Sequence, residues 1–293
     1  MDRLSQEFRL PGGRRIGYAE FGDPAGAPVI ALHGTPGSRL MFALTDRPAR
    51  VRGLRIIAPE RPGYGLSDWC RAETLAELAG DVHALADSLG LDRVALLGVS
   101  GGAPHALAAA AAMPDRTELL ALVSPVGPIA DGRGRIRMSR FHRLVFTRVG
   151  RSDPACAAFF WTVKTLVRHA PDAAYRALMQ RVVVTDRDLL RRAEVKANLQ
   201  AALREGLRQG VAGARQDLRL FCLPWKLLAE EIDVPAVIWQ GSDDTIVPPG
   251  GAYYLAEALP HCRLDVIQGA GHYFVFGQLE RVLDTLQAAL RAS

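Results

Sequence analysis

The apolar run at residues 94–97 leads without a break into Gly98-Val99-Ser100-Gly101-Gly102, and from there into an alanine-rich stretch ending near residue 112. A short apolar run closed by glycine reads as a buried strand, and the alanine-rich stretch reads as a helix. Only a sharp strand-to-helix turn fits between them, with Ser100 at its apex in a strained backbone conformation. The small flanking residues let neighbouring backbone come close, so the Ser100 hydroxyl stands clear of the sheet. Beneath it, the helix N-terminus points free N–H groups at the place where an oxyanion would form, the Gly101 N–H first among them. Pro104 falls in the first turn, where a missing N–H costs nothing.

The rest of the chain supplies the sheet this unit needs. Residues 8–10 and 15–20 flank Pro11-Gly12-Gly13 and read as a hairpin. Residues 29–32, 54–58, 94–98 and 119–123 read as buried strands alternating with helices, the pattern of a mainly parallel sheet. Over residues 74–89, Leu75, Leu78, Val82, Ala86 and Leu89 recur at helical spacing; Thr74 is the expected N-cap, with Glu77 three residues on and Gly90 as the stop. Strand patterns return at residues 236–240 and 263–267, and an amphipathic helix is expected over 278–290.

Between these halves lies a long helical, arginine-rich stretch without strand patterning. The expected organisation is a core of residues 1–128 and 231–293 with an inserted helical cap over 129–230. The formal charge is +5 overall, but residues 131–226 alone carry +12 and the remainder −7. Basic and acidic residues are interleaved there and no nucleic-acid reader motif occurs, so no nucleic-acid partner is expected. The excess reads either as a solvated face or as a bias toward neutral or anionic substrates. Within the insertion, Phe159, Phe160 and Trp161 are candidate pocket walls, with ordinary core packing as the competing reading. Cys70, Cys156, Cys222 and Cys262 are widely spaced and read as reduced thiols, suggesting neither a zinc site nor a redox pair. No segment reads as a signal peptide or membrane span, and a cytoplasmic protein without a membrane partner is expected. The oligomeric state stays open.

Three further segments carry candidate chemistry. His33-Gly34-Thr35-Pro36-Gly37 follows a strand and can aim a backbone N–H, assigned to Thr35, at the nucleophile. His33 itself reads as structural, and His105, one helical turn past Ser100, as part of a packing surface or pocket wall. His272 sits on the glycine-rich loop after residue 267, where an imidazole can reach a serine on a neighbouring strand and pass protons both ways. After residue 240, Asp243 and Asp244 are both candidates for the acid that orients it.

Taken together, the chain resembles the α/β-hydrolase superfamily over nearly its whole length except the insertion. The order Ser100, Asp244, His272 is that family's order, and the G-x-x-D-x-x-V loop, here Gly241 to Val247, selects Asp244 over Asp243. The H-G-x-P-G loop and Arg61-Pro62-Gly63-Tyr64-Gly65-Leu66-Ser67-Asp68 are likewise typical. The resemblance implies an α/β fold with a mostly parallel central sheet, helices on both faces and an inserted cap. It implies a serine hydrolase cleaving a carboxylic ester or related acyl bond of a small molecule, with no metal or organic cofactor. The same loop resembles that of epoxide hydrolases and dehalogenases, whose nucleophile is aspartate, and of proline iminopeptidases. A proline iminopeptidase-like aminopeptidase therefore stays open, as does a non-hydrolytic receptor or biosynthetic catalyst; turnover of simple aryl esters separates these.

Overall fold

The computed structural model describes residues 2–130, 139–247 and 249–291. Its centre is an eight-stranded sheet built from β1 (Gln6–Arg9), β2 (Arg15–Gly22), β3 (Ala27–Leu32), β4 (Leu54–Pro59), β5 (Val94–Val99), β6 (Thr117–Val123), β7 (Ala236–Gly241) and β8 (Cys262–Ile267). The spatial order is β1-β2-β4-β3-β5-β6-β7-β8. The expected hairpin forms from β1 and β2, β2 runs antiparallel to β4, and every later pair is parallel.

Burial follows from this order. The central strands are covered on both faces, so they read as continuous apolar runs, whereas the edge strand β1 alternates half-buried and exposed residues. Successive residues of β3 enter opposite layers. Ile30 and Leu32 pack with Leu78, Val82 and Leu85 of α2 (Ala76–Ser88) and Ala106 and Leu107 of α3 (Ala103–Ala112), following the short α1 (Asp46–Arg50). Val29 and Ala31 pack on the other face, with Ala49 of α1 and with Val282, Leu283 and Leu286 near the C-terminus. Each buried leucine or isoleucine contributes about 1.5–3 kcal/mol, so the two layers together hold the sheet.

The N-cap of α2 falls at Leu75, one residue later than expected, but the Thr74–Glu77 pair still brackets its first turn: the Glu77 N–H donates to Thr74 Oγ1 at 3.3 Å and the Thr74 hydroxyl donates to Glu77 Oε1 at 2.9 Å, while Gly90 takes φ +63° beyond the helix end.

Between β6 and β7 the described residues form α4 (Arg140–Thr147), α5 (Asp153–His169), α6 (Pro171–Met179), α7 (Val184–Leu190), α8 (Ala193–Gly206) and α9 (Ala212–Cys222). These helices have small cores of their own. One joins Val145, Cys156, Phe160, Leu207, Leu218 and Cys222 to Tyr64 of the sheet domain. Another joins Tyr175, Leu190, Val195 and Leu199 to Ile246, Tyr273 and Phe276. A buried ion cluster fastens α8 to the core, with Arg39 Nη1 2.8 Å from Glu60 and 2.7 Å from Glu205. The chain closes with α10 (Gly250–Ala258) and α11 (Val275–Arg291), the latter interrupted at Gln278. No described helix is long and apolar enough to cross a membrane.

Candidate active site

Four parallel strands end on one edge of the sheet, and each is followed by one of the candidate segments. This is where an open α/β sheet offers a crevice. At the end of β5, Ser100 adopts φ +54°, a left-handed conformation that a non-glycine residue holds only under strain. The glycines explain how the chain tolerates it. A Cβ on Gly102 would overlap the Leu32 carbonyl of β3, and one on Gly101 would overlap the Thr35 side chain. The turn therefore sits directly against the loop after β3.

His272 reaches Ser100 from the loop after β8. The Ser100 hydroxyl donates to His272 Nε2 at 3.1 Å, and His272 Nδ1–H donates to Asp244 Oδ2 at 2.7 Å. Asp244 is buried, and its other oxygen accepts the Ile246 and Val247 N–H groups, both at 2.9 Å. One carboxylate thus closes its own turn and holds the imidazole. Asp243 is exposed, bonded by the Ser242 hydroxyl, and points away from this chain of bonds.

Burial opposes a charge on His272, but the Asp244 carboxylate, reinforced by Asp186, outweighs it and lifts the imidazole above its ordinary value. Nearby His142 is pushed down to about 4, by burial first and then by His272, so it stays neutral. A general base must be unprotonated to act, so a raised value brings its loss to a higher pH on acidification. The acid limb of a pH–kcat/KM profile is therefore expected to lie higher than that of an unperturbed histidine, and Asp244→Asn should move it down. A wild-type limb lower than that of an unperturbed histidine would contradict the geometry.

Thr35 lines the space in front of Ser100, and Gly101, the residue after Ser100, packs directly against the Thr35 side chain. The Thr35 N–H has no protein acceptor among the described residues. His33 is fully buried, with Nδ1 against the Gly34 carbonyl and its ring edge-on to Tyr64, in keeping with a structural part. His105 faces inward to Asp217 Oδ1 at 3.1 Å.

The space in front of Ser100 opens into a chamber lined by Met41, Phe42, Leu199, Leu203, Tyr273 and Phe276, with Val275, Leu279 and Val282 of α11 behind them. Among the described residues, none that lines it is Asp, Glu, Lys or Arg. Phe159, Phe160 and Trp161 do not line it, which corrects the sequence expectation. Phe160 is buried in the small core with Tyr64, Phe159 packs on Phe160 and Phe141, and Trp161 is 52% exposed beneath Lys164. Helix α5 packs against α6, α8 and α9, so Phe159 and Phe160 serve packing within the insertion. The described residues that do reach the chamber from the insertion are Leu178, Leu199, Ala202 and Leu203 on α6 and α8. Among the described residues no group of three or more His, Cys, Asp or Glu could hold a metal ion.

The sequence model of the alpha/beta hydrolase fold family matches residues 27–278. The chain belongs to this family. At the level of whole sequences it is 27% identical over 290 residues to the Pseudomonas putida 2-hydroxy-6-oxononadienedioate/2-hydroxy-6-oxononatrienedioate hydrolase 2, covering 93% of this chain and 92% of that one. It is also 27% identical over 290 residues to a proline iminopeptidase of Xylella fastidiosa, covering 88% and 87%. Among solved structures, an esterase from Exiguobacterium antarcticum superposes with a TM-score of 0.71 at 18% identity, covering 98% of this chain and 100% of that one. That degree of likeness speaks to the fold this alpha/beta hydrolase shares, and not to its substrate.

Two buried carboxylates of the insertion were invisible to sequence reading. Asp186 on α7 accepts the Tyr273 N–H at 3.1 Å, next to His272, and a Cβ on Gly271 would collide with its carboxylate. Asp217 on α9 receives Thr35 Oγ1, Arg61, Tyr64 and His105.

Proposed function

We propose that this alpha/beta hydrolase is a serine hydrolase that cleaves a carboxylic ester or related acyl bond of a small, uncharged molecule with an apolar acyl group. The observation that carries the reading is the bonded series Ser100–His272–Asp244 opening onto a chamber whose described lining has no acidic or basic side chain but His272 itself. His272 takes the Ser100 proton as Oγ attacks the carbonyl carbon, and Asp244 keeps the imidazole in the tautomer that accepts at Nε2. The Thr35 and Gly101 N–H groups take the oxyanion, a contribution of about 3–4 kcal/mol per donor in comparable sites. Collapse of the tetrahedral species expels the alcohol, protonated by His272. Water, deprotonated by the same group, then frees the acyl half and restores Ser100. The insertion over 129–230 acts as a cap, closing the chamber with Leu199 and Leu203.

The chamber's chemistry ranks the activities of the relatives. An aminopeptidase must seat an ammonium group and a dioate hydrolase a carboxylate, and each needs an opposite charge within reach. Glu194 is exposed and Glu205 is paired with Arg39 and Arg208, and neither lines the chamber. Among the described residues of the insertion, basic side chains such as Arg143, Arg176, Arg192 and Arg204 are exposed and none lines the chamber, which supports a neutral substrate over an anionic one.

The test is a panel of neutral aryl esters of increasing acyl length, a proline arylamide and a dienedioate. Each methylene that enters the chamber adds about 0.8 kcal/mol, so kcat/KM should rise about fourfold per carbon until the chamber is full. The esters should exceed the proline substrate by about 100-fold or more, with little effect of salt. Faster cleavage of the proline arylamide or the dienedioate would overturn the ranking.

A further inference from the structure

The loop that offers the Thr35 N–H does not hold itself in place. Its three residues His33, Gly34 and Thr35 are gripped by Arg61, whose Nη1 donates to the His33 carbonyl at 2.5 Å and whose Nη2 donates to the Gly34 carbonyl at 3.3 Å and to Thr35 Oγ1 at 2.9 Å. Arg61 is itself oriented by Asp217, which receives Nη2 at 2.6 Å and Nε at 3.1 Å on one oxygen. That same oxygen takes the Thr35 hydroxyl at 2.7 Å and the Tyr64 hydroxyl at 2.8 Å, and the other oxygen meets His105. Asp217 is 2% exposed and Arg61 5%.

These bonds do two things to Thr35. The hydroxyl is spent on Asp217, so the backbone N–H is the donor that Thr35 has left for the space it lines with Ser100. The side chain is also pinned against Gly101, where a Cβ would collide with it, so the two N–H groups share one wall. Asp217 lies on α9, 156 residues beyond Arg61 and 182 beyond Thr35. The core supplies the loop and the insertion supplies its anchor.

We infer that Asp217 is a positioning residue through which the insertion completes the oxyanion hole, acting by way of the Thr35 hydroxyl and Arg61. The inference rests on the serine-hydrolase reading above. It gives the insertion a part in the chemical step as well as in the shape of the chamber. Burial works against a charged Asp217, but Arg61, then His105, hold its carboxyl well below the ordinary range, so the anchor stays ionised wherever His272 is active. Tyr64 and His105 stay neutral under the same burial.

Two variants test this, Asp217→Asn and the near-isosteric Thr35→Val, which removes the hydroxyl link while leaving the Asp217–Arg61 pair intact. Rates are counted per active site titrated with a fluorophosphonate, so that a loss of folded protein does not register. Each variant should lower kcat on a neutral aryl ester roughly 10- to 100-fold with KM changed less than about threefold. Affinity for an alkyl boronic acid, whose serine adduct places an oxygen in the hole, should fall in proportion. The double variant should be no worse than Asp217→Asn alone, because both cut one linkage. Unchanged kcat per titrated site in Thr35→Val, or additive losses in the double variant, would overturn the inference. Should Asp217→Asn not fold, Thr35→Val still decides it. A wild-type protein that neither labels nor turns over sinks the serine-hydrolase reading itself, and this inference with it.

Discussion

Replacing Ser100 by alanine is expected to lower kcat by about 10⁵-fold or more on any ester the protein cleaves. The attacking atom is gone, and His272 is left without the hydroxyl it activates at 3.1 Å. What remains is the pair of N–H groups and the chamber, which can still bind and polarise a carbonyl while water attacks slowly. The variant should fold normally. Both serine and alanine pay the same cost of about 1–2 kcal/mol for the left-handed backbone at this position, and the Ser100 side chain has only His272 as a hydrogen-bond partner among the described residues. Initial rates together with the thermal midpoint check both halves of the expectation. A variant within tenfold of the wild type would remove Ser100 from the mechanism.

Asp244→Asn should cost about 10³- to 10⁴-fold, while Asp243→Asn stays within about threefold. The reason lies in the two N–H groups that Asp244 accepts from Ile246 and Val247. In the variant those donors demand the amide oxygen, so the amide NH₂ must face His272 Nδ1. An NH₂ cannot accept a proton, so Nδ1 becomes the acceptor and Nε2 carries the hydrogen. The imidazole then meets Ser100 with a donor where it needs an acceptor. Asp243 is exposed and makes no contact with the ring, so its loss leaves the tautomer alone. Rates for the two variants under one set of conditions settle the ranking, and the reverse order would move the acid by one residue.

What could be read in the sequence was whatever is coded by neighbours along the chain. The turn around Ser100 is local, because Gly101 and Gly102 must be small where they meet Thr35 and Leu32. Thr74 and Glu77 announce the start of α2 in the same way. The choice of Asp244 over Asp243 needed a family motif, since both sit in one turn and only contact with His272 separates them. The chamber was misread. Phe159, Phe160 and Trp161 have a spacing that fits a pocket wall and a packed helix equally, and the packing of α5 against Tyr64 decided for the second. Its true walls come from residues with no signature of their own, such as Met41 and Leu199. Asp186 and Asp217 look like ordinary helix carboxylates until the fold brings them to Tyr273 and Arg61. Long-range pairing of buried charges leaves no periodicity to read.

The central claim is that Ser100 is the activated nucleophile of an acyl-transfer site, and covalent labelling tests it most directly. Wild-type protein is treated with a fluorophosphonate, digested and mapped by mass spectrometry. The geometry predicts one adduct per chain, on the peptide carrying Ser100, with labelling abolished in Ser100→Ala and slowed in Asp244→Asn. An adduct on a different residue, or continued ester turnover by protein that takes up no label at Ser100, would contradict it.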